Sequence, residues 1–161
     1  SQIAIVQNDV MDYAYNATDL FEGQDPYTDF STIMVCYPET IQIIAQKNIT
    51  SIDQLKGKRV STGDAGSGVE FNARQIFAGT YTPVDKDVKT VAVMATLACR
   101  NDVPTEVVYE FTKGMFELKD KLGAAGFKDK FDLVDQTTAV TGSTVPFHPG
   151  AEQYFKEIGA M

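Results

Sequence analysis

The chain lacks any long apolar run: nowhere in its 161 residues does one approach the ~20 that a membrane-spanning helix needs. Direct membrane insertion is therefore not expected. Basic charge is scarce too. Fourteen Lys and Arg stand against 22 Asp and Glu, a formal net charge of −8, which repels phosphate backbones and supplies no basic stripe. Nucleic acid and anionic membrane surfaces are poor partners for such a chain. The opening residues, Ser1-Gln2-Ile3-Ala4-Ile5-Val6, have neither the basic region nor the cleavage site of a leader peptide.

Histidine and cysteine are nearly missing. His148 is the one histidine, so it is the single imidazole on which a Ser-His hydrolase could be built, and it reads instead as a capping or packing residue beside Pro149. Cys36 and Cys99 are the only cysteines. Each sits in an apolar β-like run and reads as a buried thiol filling core volume. A disulfide between them needs Cα atoms within ~7 Å, and the redox compartment stays open. Asp9, Asp25, Asp29 and Glu39 have no metal-loop spacing and read as solvated or capping side chains. Neither metal nor cofactor is expected.

What is present belongs to an ordinary globular protein. A hydrophobic content of 43% over this length suits one compact unit with its own core. Ile3 to Val6 reads as a buried strand, and Asp9 as the cap of a helix from Val10 to about Asn16. Phe21 to Asp29 has the composition of a loop. Thr32 to Tyr37 and Ile41 to Gln46 read as strands flanking Pro38, which fits a bend or a sheet edge. Ser51 caps one helical turn, and Arg59 to Thr62 reads as a strand. A helix follows Ser67, loop spans Ala78 to Asp87, and Thr90 to Cys99 is a long buried strand. After Asp102 and Pro104, the spacing of Val107, Val108, Phe111, Met115, Leu118 and Leu122 predicts a helix with one buried face. Phe131 to Val140 is ambiguous between strand and loop. Pro149, Tyr154, Phe155 and Ile158, with Gly159 as the stop, predict a terminal amphipathic helix. Strands alternating with helices argue for an α/β fold with a mixed, largely parallel sheet flanked by helices. In such sheets ligands bind beyond the C-terminal strand ends, where Gln7-Asn8, Tyr37 and the Gly63–Gly68 loop converge.

That loop, Gly63-Asp64-Ala65-Gly66-Ser67-Gly68, is the most informative segment. Placed between a strand and a helix start, it points backbone N–H groups and a helix-dipole terminus at one spot, where a carboxylate or phosphate can sit without a lysine. It is not a phosphate-binding Walker loop, because Val69-Glu70 follows where Lys-Ser/Thr would be, and its glycine spacing misses the dinucleotide fingerprint. It also lacks both outer glycines of a nucleophile elbow. The plain reading is a tight turn and a capping box, Ser67-Gly68-Val69-Glu70. The functional reading adds that Glu70 repels a bare anion but offers a counter-charge to an ammonium group, so an amino acid would satisfy both halves of the site. Tyr13, Tyr15, Tyr37 and Phe30 could wall it, or serve as core.

Several stretches together resemble the TAXI group of extracytoplasmic solute receptors that feed TRAP-type secondary transporters. They are Ile3 to Val10 with Tyr13 to Asn16; Cys36 to Glu39; Leu55 to Ser61 with Gly66 to Arg74; Ala78 to Tyr81; Asp87 to Val93; and Phe147 to Glu152. The resemblance implies a type II periplasmic-binding-protein-like lobe and a non-enzymatic, periplasmic receptor. Its ligand would be glutamate, glutamine or another small organic acid, and its partners the membrane subunits of a TRAP transporter. Implied ligand contacts are Gln7, Tyr15 and Tyr37 from one lobe and Ser61, Gly66, Ser67, Gly68 and Glu70 from the other, with closure of the lobes on the ligand.

The chain departs from that family in two places. A preceding segment with a Gly-rich first strand-to-helix turn is absent, and most of the second lobe is missing, with its flanks joined directly near residues 75–78. On this comparison, residues 1–57 and 78–161 form an incomplete first lobe and 58–77 begin the second. A truncated or engineered lobe and a larger protein with parts removed are both consistent with it. Two rival expectations remain: a small-molecule hydrolase or other enzyme using Ser67, and a ligand-free lobe serving as an antigen or interaction module.

Overall fold

The computed structural model describes residues 2–77, 92–122 and 128–161. The expected loop at 78–87 and the first two residues of the strand expected from Thr90 lie outside them. The chain divides into two units: Ser1–Glu39 with Val93–Met161, and Thr40–Ala92.

The first unit holds a three-stranded sheet of β1 (Ile3–Gln7), β2 (Phe30–Thr40) and β3 (Ala92–Arg100) in the order β1-β3-β2, with the last residue of β2 and the first of β3 belonging to the second unit. β1 and β3 pair antiparallel, from Ile3 opposite Cys99 to Gln7 opposite Ala95. The Asn101 N–H donates to the Asp29 carbonyl at 3.0 Å, so the start of β2 lies beside the end of β3 and that pair runs antiparallel as well. The largely parallel sheet expected from the sequence is therefore corrected. Helix α1 (Asn8–Asn16) does carry the chain from β1 to a strand of the same direction, as a right-handed crossover would. β3, arriving from far along the chain, inserts between them and runs against both.

Pro38 lies inside β2, but β2 is an edge strand, where a missing N–H is tolerated. The outer side of β2 is covered by the chain near the C-terminus. Val35 N–H donates to the Ala139 carbonyl at 2.8 Å, Thr32 N–H to Pro146 at 2.9 Å and His148 N–H to Thr32 at 2.8 Å. The segment 131–140, ambiguous in sequence, holds no strand: after Phe131, which ends a helical turn, it is turn and irregular chain, with Val134 and Ala139 buried.

Beyond the sheet come α3 (Thr105–Glu117), the single turns α4 (Lys119–Leu122) and α5 (Lys128–Phe131), and α6 (Pro149–Glu157). The main core gathers Ile33, Met34, Cys36, Leu97, Val108 and Phe155 with their neighbours. A smaller cluster of Met11, Ala98 and Val145 takes in Val6, Tyr15 and Phe30. The α3 stripe differs from its expected form: Val108 and Thr112 are buried, whereas Val107 is 51% exposed and Leu118 is exposed too. Thr112 is admitted because its hydroxyl donates to the Val108 carbonyl at 2.7 Å, leaving no polar debt. Cys36 and Cys99 are free, buried thiols, and burial pushes each up to about 11.

The second unit contains a 3-10 turn at Ile52–Leu55 and helix α2 (Gly68–Phe77). The strands expected at Ile41–Gln46 and Arg59–Thr62 do not form among the described residues. Ile44 is 96% exposed. β-branched sequence favours an extended chain, but a strand exists only against a partner that completes its ladder.

Candidate functional site

The glycine loop and α2 behave as a capped helix start. Ser67 is the N-cap residue: its carbonyl accepts from Phe71 N–H at 3.1 Å and its hydroxyl oxygen from Glu70 N–H at 3.2 Å. Glu70 turns back on the loop, accepting from Gly66 N–H at 2.7 Å through one oxygen. Its other oxygen accepts from Arg74 Nη2 at 2.6 Å and Nε at 3.0 Å. Ser67 N–H is used by the Asp64 carbonyl at 3.0 Å. Gly63 and Gly66 both have positive φ, +90° and +79°. At Gly63 a Cβ would stand 3.2 Å from Val69 and 3.3 Å from Ser67 Oγ, so the turn needs glycine there on both counts.

This arrangement redistributes the roles read from sequence. The Gly66 amide and the Glu70 carboxylate engage each other, and Arg74 supplies the cation that Glu70 had been expected to find in a ligand. The Gly66 amide first, and Arg74 second, hold the Glu70 carboxyl below its ordinary range. A depressed carboxyl stabilises the loop above its unfolded pKa, and that contribution is lost as pH falls through the folded one. The open donors are elsewhere: among the described residues, the N–H groups of Gly68 and Val69 meet no protein acceptor, and the Ser67 hydroxyl accepts while its own proton is free to donate. Ser61 is exposed in irregular chain before the loop. Replacing Ser67 by Ala should remove the cap and cost about 1 kcal/mol; reduced helicity and a lower urea midpoint check it, and an unchanged midpoint contradicts the cap.

In the first unit, Gln7 ends β1 and its Nε2 donates to Glu39 Oε2 at 3.2 Å. Tyr37 is two residues before Glu39 on β2, half-buried, with Lys130 Nζ 4.8 Å from its ring centre. Burial first and Glu39 second push its hydroxyl pKa up. Tyr15 is not brought to this group: it packs edge-on against Phe30, 6.0 Å between centres, beside the Met11 cluster, while Tyr37 packs on the main core. Sequence reading missed Asp9 and Glu39. Asp9 is not the cap expected of it: α1 starts at Asn8 with Gln7 in the N-cap position and no side-chain cap, so Asp9 lies inside the first turn, where its Oδ1 accepts from Val10 N–H at 2.8 Å and its other oxygen is buried without a hydrogen-bond partner among the described residues. Burial raises the Asp9 carboxyl, offset by the Val10 amide and reinforced by the charge on Glu39. The usable signal was position, since both lie within two residues of groups already chosen at strand ends.

His148 is committed to structure. It is buried, and its Nδ1 accepts from Gly150 N–H at 3.2 Å as the N-cap of α6. Among the described residues, no group of three or more His, Cys, Asp or Glu could hold a metal ion, and no helix is long and apolar enough to cross a membrane. The sequence matches the NMT1-like family over residues 1–79 and again over 76–159, two stretches that meet at 76–79. Members of that family are periplasmic substrate-binding proteins, a role that pairs ligand uptake with a transporter partner. With nearly its whole length matched, the chain belongs to the NMT1-like family.

Proposed function

We propose that the chain is an extracytoplasmic, periplasmic solute-binding receptor of a TRAP-type transporter of the TAXI kind, and that it takes a small carboxylate such as glutamate, glutamine or another organic acid without transforming it. The observation that carries this reading is the start of α2, where two backbone N–H groups and the Ser67 hydroxyl have donor capacity that no other described residue takes up. Donors at a helix N-terminus favour an acid over a neutral solute. Family membership supplies the solute-binding role. Gly68 and Ser67 are the proposed acid contacts, with Ser61 beside them. Gly66 and Glu70 shape the loop, and the ammonium role read for Glu70 is kept as the point the Glu70→Gln variant tests. Gln7 and Tyr37, with Tyr15, are the proposed polar contacts on the first unit. The meeting of the two family matches at 76–79 supports the reading that the chain joins segments that other members hold apart. The proposed membrane partner is the transporter itself.

Calorimetry with a panel of amino acids and dicarboxylates tests the proposal. Stoichiometric heat with one carboxylate, weakened at least about tenfold by Ser67→Ala and with the ligand recovered unchanged, is the expected result; a tenfold loss corresponds to ~1.4 kcal/mol. Product formation abolished by Ser67→Ala would assign an enzyme instead. Silence across the panel would leave a lobe without ligand.

A further inference from the structure

The start of α2 already holds an anion. Glu70 lies in the first turn and carries a full negative charge, against the roughly half positive charge that a helix N-terminus supplies. On those two alone this helix end is negative and turns an acid away. Arg74 reverses the balance. It stands one turn along, with Glu before Arg at a spacing of four, the order that favours an ion pair on a helix, and its guanidinium donates to Glu70 Oε1 through Nη2 at 2.6 Å and Nε at 3.0 Å. The other carboxylate oxygen accepts from Gly66 N–H at 2.7 Å. Glu70 is thus turned back on the loop with its charge answered inside the protein, while among the described residues the N–H groups of Gly68 and Val69 meet no acceptor. Asp64, the other acid of the loop, is exposed and enters the turn through its backbone carbonyl.

We propose, resting on the reading that a ligand's acid meets the start of α2, that Arg74 is a specificity-determining residue of that site: it acts through Glu70, whose charge it neutralises so that the helix end accepts an acid. Arg74 is a positioning residue, since it also holds the Glu70 carboxylate against Gly66 and away from the open donors. Its partner being internal, Glu70 is no counter-charge for a ligand's ammonium, and the α2 end of the site reads the acid alone. Acids with and without an amine therefore depend on Arg74 to the same degree. The Arg74 side chain is 71% exposed, and an ion pair that water reaches is worth little. The dependence is accordingly modest, about threefold in affinity, and salt weakens it.

Calorimetry with L-glutamate, L-glutamine and glutarate, which is glutamate without its amine, reads the effect. Arg74→Gln should weaken each acid that the wild type binds by about threefold, and the gap should close as salt is raised. Adding Glu70→Gln to Arg74→Gln should recover most of the lost affinity, because the new side-chain amide still accepts from Gly66 N–H and brings no charge. If Arg74 served only to hold the helix, the double variant would be at least as weak as the single one. With no acid added, the Glu70 carboxyl followed by NMR should titrate higher in Arg74→Gln than in the wild type, since the Gly66 amide then holds it down alone. Silence of the wild type toward all three acids overturns an acid site at α2 and this role with it. Binding that Arg74→Gln leaves unchanged, a double variant no better than the single one, or a Glu70 carboxyl that titrates alike in both chains overturns the role of Arg74 and leaves the receptor standing.

Discussion

Gly150→Ala should destabilise the first unit by about 3 kcal/mol or more, the upper range for forcing extra volume into a packed interior. A Cβ at this position would stand 2.2 Å from the Thr105 carbonyl oxygen, 2.7 Å from the Tyr109 nitrogen and 3.0 Å from Val108 Cβ. Two of those three are backbone atoms of α3, which cannot rotate away as a side-chain end would. Either α6 backs off, opening the main core at the buried Ala151 and Phe155, or the helix start unwinds and the His148 cap on Gly150 N–H is lost. The sign of the effect is informative. On intrinsic propensity alone, alanine inside a helix is favoured over glycine by about 1 kcal/mol, so the variant gains stability if the close crossing of α3 and α6 is absent. A urea midpoint equal to or above that of the wild type would refute the packing.

How much of this could be read in advance depended on whether the information was local. Helix α6 was fully legible, because Pro149 at its first turn, the Tyr154–Phe155 pair and Gly159 at φ +73° are signals within a dozen residues. The cap of α2 was legible in half: Ser67 forms the bond to Glu70 N–H that the capping-box spacing implies, while the Glu70 carboxylate reaches one residue further back, to Gly66 N–H, because Ser67 N–H is taken by the Asp64 carbonyl. The pairing of β1 with β3 was not legible. It joins residues some ninety positions apart, and nothing in the sequence of either strand records its direction or that β3 inserts between β1 and β2. The same limit explains Ile41–Gln46 and Arg59–Thr62, whose composition describes a strand but cannot supply the neighbour that makes one. Along α3, periodicity put Val107 on the apolar face because it counts hydrophobicity, while the buried position fell to Thr112, made acceptable by its bond to Val108.

At the candidate site the loop was found and its internal chemistry was not. A glycine turn before a helix advertises free amides, but it also lets a nearby carboxylate fold back onto them, and Glu70 does so at Gly66. Arg74, one turn along α2, completes that closure, and its spacing of four from Glu70 was a visible sign of an ion pair. Gln7 and Tyr37 share a neighbourhood through Glu39. Their predicted companion Tyr15 went to the Met11 cluster, because an aromatic on the inward side of α1 is worth more against Phe30 than in water.

Phe155→Ala should cost about 3–5 kcal/mol, the range for truncating a buried aromatic. Phe155 is fully buried and is the largest such side chain among the described residues. Its ring meets Phe116 at 6.0 Å and 76°, Phe147 at 6.1 Å and 84°, and Tyr154 at 5.6 Å and 63°, edge-to-face arrangements that add to simple burial. Those partners come from α3, from the segment before α6 and from α6 itself, so no single element can collapse into the space left behind. The loss is large against the 5–15 kcal/mol that holds a domain of this kind together. Phe155→Leu, which keeps most of the volume, should lose clearly less, and Val107→Ala, on the exposed side of α3, should stay within about 0.5 kcal/mol of wild type. Urea melts of the three variants test the order as well as the size. If Val107→Ala falls as far as Phe155→Ala, the buried face of α3 has been assigned to the wrong residues, and the packing of α6 against Val108 and Phe116 is refuted with it.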